Sequence, residues 1–212
     1  RFTAEDASRT DLEYLIQVGQ LVQKGGIDRF SLADTVGCLT PTKMKELVSR
    51  MVSELDIPVH VHCHNDFGMA TANALSALEA GAQCVDVAIN GLGERCGLPP
   101  LAEVVIALTN IYKVNGNWNL GLIPELSELV NAFSKLDTNA NQPIVGKNAF
   151  THKSGLHVKA VVKEPESYEA ISPESVHRKR HLVIDKYTGN SALNNKLIHI
   201  GISVTPKELD TI

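Results

Sequence analysis

Apolar positions along the first half of the chain recur with two alternating periods. From Asp11 to Gln23, Leu12, Leu15, Ile16 and Val22 fall at helical spacing, with Gly19 on the same face and Gly25-Gly26 as the stop. A glycine there lets the helix sit close to a sheet. "DRFSLADTVG" then reads as a short strand opening into a loop. The 3.6 period returns from Pro41 to Leu55 through Met44, Leu47, Val48, Met51 and Leu55, and the period of two in "PVHVHCHND". An alanine-rich helix over Met69 to Ala80, a strand at "QCVDVAIN", the loop "GLGERCGLPPL" and a helix over Leu101 to Tyr112 complete the series. The opening "RFTAEDASRTD" reads as the end of a strand running into a helix.

Strand, loop and helix thus repeat at about thirty residues per unit, the pattern of parallel βαβ construction. The sheet is either doubly wound or part of a (β/α)8 barrel. No GxGxxG follows any strand, which weakens the dinucleotide-binding, doubly wound version. Polar residues gather where the strands end, at Glu5, Asp34-Thr35, His62, His64 and Asn90. A barrel collects its catalytic side chains at that face.

The pattern changes after Trp118. Leu120 to Leu136 is expected to form one long amphipathic helix, and "DTNANQPIVG" a polar connector. From Asn148 onward the chain is more basic, with Lys153, Lys159, Lys163, Arg178, Lys179, Arg180 and Lys186. Three regions are expected: a barrel portion over 1–118, a linker helix and connector over 119–147, and a mostly helical accessory module over 148–212.

Composition narrows the function classes. The chain has 212 residues, 43% hydrophobic and 21% charged, a balance able to bury a sizeable core. A net charge of -4 offers no basic stripe for phosphates, so nucleic acid is not expected as a partner. No apolar run approaches the roughly 20 residues of a membrane helix. The four cysteines, Cys38, Cys63, Cys84 and Cys96, contain no CxxC pair, and no secretory leader is visible. A reducing cytoplasm is the expected compartment.

The chemistry concentrates in a few places. His60, His62 and His64 point to one face of their strand, and Val59, Val61 and Cys63 to the other. Two imidazoles on one face, with carboxylates nearby, make a divalent-metal half-site; the alternative is a set of hydrogen-bonded rim histidines. Position at the strand's end beside Asn65-Asp66 favours the metal. "NGLGERCG" lies on the same rim, where its glycines permit positive φ and Glu94 and Arg95 pair with neighbouring charges or orient a ligand. Thr35 of "ADTVG" offers a hydroxyl suited to a carboxylate. Glu5 is a base, a positioning acid or merely a solvated rim carboxylate. In "AFTHKSGLHVKAV", His152 and His157 fit a loop entering a helix, with His157 an acid, a base or a lining residue. Tyr168 in "SYEAISPESV" is a packed aromatic unless the site recruits its hydroxyl.

Taken together, "FTAEDASRTD", "ADTVG", "HCHNDFGMATANAL", "NGLGER", "AFTHKSGLH" and "DKYTG" resemble the metal-dependent Claisen-condensing synthases, which include homocitrate, 2-isopropylmalate, citramalate and Re-type citrate synthases. The motifs occur in that family's order and cover nearly the whole chain. The resemblance implies a (β/α)8 barrel followed by helical accessory subdomains, and the condensation of acetyl-CoA with a 2-oxo acid with release of CoA. It implies that the chain starts near the end of the fifth barrel strand and supplies the sixth to eighth, while the first strand, with its Asp-Arg-Glu motif and a further metal ligand, lies elsewhere in a longer protein. The rival reading is a non-catalytic fragment or partner-binding subunit, since so few strands cannot close a barrel.

On the same resemblance His62 and His64 are metal ligands for zinc, manganese, magnesium or cobalt, and Thr35 binds the substrate carboxylate. Glu5, His157 and Tyr168 collectively manage protons. The accessory module reaches across a homodimer to cover the partner's barrel mouth, and Lys153 and Arg178 to Arg180 either meet the CoA phosphates or form a solvated positive face. Two positions depart from the family. Leu98 stands where isopropylmalate and citramalate synthases usually carry a metal-binding Asn, which tilts the reading toward 2-oxoglutarate, homocitrate and lysine biosynthesis through 2-aminoadipate. His177 stands where the family usually has Gly, and the loop shifts if that position needs positive φ.

Overall fold

The structure is a computed structural model that describes residues 1–153, 155–183, 189–199 and 201–209. Ser154 of "AFTHKSGLH", Lys186 and all of "DKYTG" except Gly189 lie outside the described residues. Two compact units divide the chain, Arg1–Asn115 and Gly116–Ile212.

In the first unit, strands β1 (Phe2–Ala4), β2 (Phe30–Asp34), β3 (Val59–Cys63) and β4 (Cys84–Val85) form one parallel sheet in the order β1-β2-β3-β4. Helices α1 (Leu12–Lys24), α2 (Pro41–Glu54) and α3 (Ala70–Glu79) connect them, and α4 (Leu101–Asn110) follows. Each strand lies beside its neighbour in sequence. The strand order of a doubly wound sheet reverses at a switch point, whereas this unbroken order is that of a (β/α)8 barrel, of which the unit is a part.

Local chemistry fixes the helix starts. The Asp11 carboxylate accepts from the Tyr14 amide at 2.9 Å, and the Thr40 hydroxyl from the Lys43 amide at 3.3 Å with Pro41 in the first turn. Asn65 Oδ1 accepts from the Ala70 amide at 3.1 Å, so a motif residue also anchors α3. Leu15 and Ile16 of α1, Met44, Val48 and Met51 of α2 and Ala70 and Ala77 of α3 pack with Phe30, Leu32, Val59, Val61 and Cys63 in one core. Truncating Met51, which is fully buried, costs about 2–5 kcal/mol. Gly19 does allow a close approach, but to another helix rather than to the sheet. A β-carbon there would sit 3.1 Å from the Leu55 side chain at the end of α2.

Two sequence expectations shrink. The strand at "QCVDVAIN" holds the ladder only at Cys84 and Val85. Beyond them Ala88 bridges to Pro100, and Asn90 turns at φ 56°. The helix expected over Leu120 to Leu136 is a 3-10 turn at Leu120–Leu122 followed by α5 (Ile123–Ser134). Pro124, with its fixed φ and missing amide, sets the start of α5, and Lys135 at φ 60° ends it.

The rest of the second unit is mostly helical, with α6 (Gly155–Lys163), α7 (Asn190–His199) and α8 (Pro206–Leu209). The unit also holds a two-stranded parallel ladder that no period in the sequence announces, β5 (Thr151–His152) with β6 (His181–Leu182). Phe150, Val158, Val161 and Val176 are buried in this unit. Among the described residues no helix is long and apolar enough to cross a membrane.

Candidate functional site

The alternation in β3 sorts its side chains as its period requires. Val59, Val61 and Cys63 enter the helix-covered core, where burial pushes the Cys63 thiol well up from its ordinary range. His60 and His62 take the opposite face, level with Ser31 and Ala33 of β2. His64 follows directly, and its ring meets that of His62 edge-on, with centroids 5.0 Å apart at 68°. Burial and the nearby Arg95 and His62 hold the His64 imidazole below its ordinary pKa, so it is neutral and able to offer a lone pair.

A carboxylate that sequence reading passed over joins these histidines. Asp86 Oδ2 lies 2.9 Å from His62 Nδ1, and Oδ1 lies 3.0 Å from His60 Nε2 without the alignment of a hydrogen bond. Arg1 reaches the same carboxylate at 3.4 Å and His60 Nδ1 at 3.2 Å. Burial raises the Asp86 pKa, but the His62 hydrogen bond and the His60 and Arg1 charges outweigh it and hold the group below the usual range. Burial is also the leading cause of the lowered His60 pKa. The signal was present in "QCVDVAIN": Asp86 follows Val85, the partner of Val61, and its amide still donates to Val61 O at 3.0 Å.

Three motifs are tied into one rim. Arg95 of "NGLGER" donates from Nε to Asp66 Oδ1 at 2.8 Å and from a terminal nitrogen to Asp66 Oδ2 at 3.1 Å. The same terminal nitrogen donates to the Thr35 carbonyl of "ADTVG". This pairing holds the Asp66 carboxyl below its usual range. The Asn65 amide donates to Gly97 O at 3.0 Å. Glycine is required where the loops touch: at Gly37, φ 62°, a β-carbon would lie 2.8 Å from Asp66 Oδ2, and at Gly97, φ 81°, 1.8 Å from Gly91 O.

Of the other rim residues, Thr35 stands inside this lattice, its hydroxyl accepting from the Asp6 amide at 2.8 Å. Glu5 follows β1 and is exposed. Asp34 does not face the site: it is buried, and its carboxylate accepts from the Cys38 and Leu39 amides at 3.0 and 3.1 Å, shaping the entry to α2. Leu98 is partly buried against Gly93.

The second unit brings together its own candidates. His157 on α6 and Tyr168 stack with ring centroids 4.2 Å apart at 30°. Beside Tyr168, Glu169 is buried between His152 Nε2 at 2.9 Å and a bidentate Arg180. Arg180, with burial opposing and His152 assisting, holds the Glu169 carboxyl below the usual range. Arg178 donates to the Val145 and Gly146 carbonyls at 2.9 and 3.1 Å. Both arginines offered to CoA phosphates therefore have internal acceptors. His177 does occupy the left-handed region, at φ 51° and ψ 31°, and its ring packs where a β-carbon on Gly121 would lie, 2.3 Å away.

Among the described residues no three His, Cys, Asp or Glu side chains converge to hold a metal ion. Two do fit half a shell. Asp86 fixes His62 Nδ1 and leaves Nε2 for a ligand, while the buried His64 Nδ1 has no hydrogen-bond partner among the described residues.

Comparison with known proteins agrees with this architecture. A family model described as HMGL-like matches residues 1–130, and one described as homocitrate synthase post-HMGL domain-like matches residues 144–212. A probable 2-isopropylmalate synthase of Methanopyrus kandleri is 46% identical over 211 residues, covering 100% of this chain and 42% of the relative. A homocitrate synthase of Sulfurisphaera tokodaii is 44% identical over 213 residues (100% and 46%), and an (R)-citramalate synthase of Methanocaldococcus jannaschii 43% over 210 (99% and 43%). The chain spans about half the length of the curated relatives it matches. Among solved structures, an HMG-CoA lyase of Acinetobacter baumannii, in complex with coenzyme A and 3-methylmalate, aligns with TM-score 0.53 at 28% identity, covering 59% of this chain and 43% of that one. By its matched model, its unbroken parallel sheet and its rim motifs, the chain belongs to the HMGL-like family.

Proposed function

We propose that this chain is the C-terminal part of an acyltransferase that condenses acetyl-CoA with a 2-oxo acid and releases CoA, with 2-oxoglutarate as the acid and homocitrate as the product. The observation that carries the reading is the pairing of His62 with His64 at the end of β3, one ring oriented by Asp86 and the other with a buried nitrogen unpartnered. The relatives supply its class: synthases named for homocitrate, isopropylmalate and citramalate match at 43–46% identity.

His62 and His64 would hold a divalent cation, with the remaining ligands from outside this chain. Bound there, the cation supplies Lewis acidity at the 2-oxo carbonyl. The chain's own residues do the rest. Thr35, held between the Asp6 amide and Arg95, positions the substrate carboxylate. Glu5, His157 and Tyr168 handle the protons, one leaving the acetyl methyl group and others moving as the thioester is hydrolysed. The stacked His157 and Tyr168 act as a pair in a homodimer whose accessory module covers the partner's barrel mouth and excludes water.

The choice of acid rests on Leu98. An apolar side chain there removes the amide ligand of the isopropylmalate and citramalate enzymes. The relatives do not separate these substrates, since all three names match at similar identity. CoA release from acetyl-CoA, measured with 2-oxoglutarate, 2-oxoisovalerate, pyruvate and oxaloacetate in turn, tests the proposal. Preference for 2-oxoglutarate is expected. Preference for another acid moves the substrate within the class, and no release with any of them contradicts the class.

A further inference from the structure

The sequence motifs do not include Asp86, yet it is the carboxylate that touches the strand of histidines. An ionised carboxylate only accepts hydrogen bonds, so the 2.9 Å contact makes His62 Nδ1 the donor and leaves Nε2 with its lone pair. The carboxylate is itself fixed. Just past β4 its backbone amide donates to Val61 O at 3.0 Å, Arg1 approaches Oδ2 at 3.4 Å, and His60 Nε2 lies 3.0 Å from Oδ1. His60 accepts from Arg1 at Nδ1, so its remaining proton lies on Nε2, close to Oδ1 but not aligned to hydrogen-bond it. A held carboxylate behind an imidazole is the arrangement that fixes tautomer and ring orientation in metal-binding histidines and raises their basicity.

We propose that Asp86 is the positioning residue of His62, locking the tautomer that presents Nε2 to a divalent cation, with Arg1 and the backbone bond to Val61 holding Asp86 in place. The assignment rests on the metal-dependent reading above. It differs from a merely structural ion pair in one consequence: Asp86 acts on the cation only through His62, so its effect vanishes when His62 is gone.

The test is an equilibrium titration of Co2+, followed by its visible absorption, into the metal-free protein at its full natural length. Asp86→Ala is expected to weaken Co2+ about 10- to 100-fold. Asp86→Asn, near in shape and still able to accept from Nδ1, is expected to lose less and guards against misfolding. His62→Ala should lose at least as much as Asp86→Ala, and the double variant no more than His62→Ala alone. Unchanged Co2+ affinity in Asp86→Ala beside a loss in His62→Ala, or a loss from Asp86 that adds to that of His62, overturns the assignment while leaving the metal reading intact. Unchanged affinity in both His62→Ala and His64→Ala overturns the assignment and the metal reading together.

Discussion

Arg95 grips Asp66 with two nearly parallel hydrogen bonds of 2.8 and 3.1 Å, joining the loop after β3 to the loop after β4 across 29 residues of sequence. The same guanidinium reaches the Thr35 carbonyl, so one side chain sets the spacing of three rim loops. Lysine keeps the charge but cannot make the fork. Arg95→Lys is expected to lower kcat/KM for the 2-oxo acid about 10- to 100-fold, through misplacement of Thr35 and the His64 loop, with little change in circular dichroism.

The glycines beneath this clamp are spacing elements. In Gly97→Ala the new methyl would lie 1.8 Å from Gly91 O, at a φ of 81° that disfavours any side chain. The loop must move, at a cost of about 1–3 kcal/mol from backbone strain alone. Urea denaturation should show that loss, with a fall in activity beyond it because Asn65, bonded to Gly97 O, lies between His64 and Asp66.

His177 and Gly121 form a second complementary pair. Gly121→Ala would put a β-carbon 2.3 Å from the His177 ring, the far end of an exposed side chain that can turn aside, so the expected loss is under about 1 kcal/mol. His177→Gly removes the obstacle and suits the left-handed backbone at φ 51°. The double variant should therefore recover most of the stability lost in Gly121→Ala, a coupling that a thermal-melt double-mutant cycle reads directly.

Acid should weaken the second unit through Glu169. Its folded pKa is depressed, chiefly by Arg180, so the stabilisation is present above the unfolded value near 4.5 and is lost as pH falls through the lower folded value. Stability of the native protein should decline over that window, and Glu169→Gln should flatten the decline. Glu169→Ala, which leaves the partly buried Arg180 and His152 without their partner, is expected to cost roughly 1–3 kcal/mol at neutral pH.

Much of the fold was legible in hydrophobic periodicity. The faces of α1 and α2 matched because Leu15, Ile16, Met44, Val48 and Met51 repeat at 3.6 residues, and β3 because Val59, Val61 and Cys63 alternate with histidine. What escaped was set by tertiary contacts. Asp34 looks like a rim carboxylate in sequence, but the turn after β2 uses it to satisfy two backbone amides. Asp86 looks like an ordinary polar position in a strand, and only the register of β4 on β3 brings it to His62. The β5–β6 ladder, two residues long on each side, is too short to leave a period. Arg178 and Arg180 read as a solvated basic run, yet Arg178 is bound by the Val145 and Gly146 carbonyls and Arg180 by the Glu169 carboxylate.

The most direct test of the central claim is CoA release by the full-length protein after chelation, with a divalent metal returned in the presence of acetyl-CoA and a 2-oxo acid. The native protein is expected to recover its activity on metal addition, and the His62→Ala/His64→Ala double variant to recover none. Release by the double variant at the native rate, or native release indifferent to chelation and metal, would contradict the claim that the paired histidines at the end of β3 hold the cation on which condensation depends.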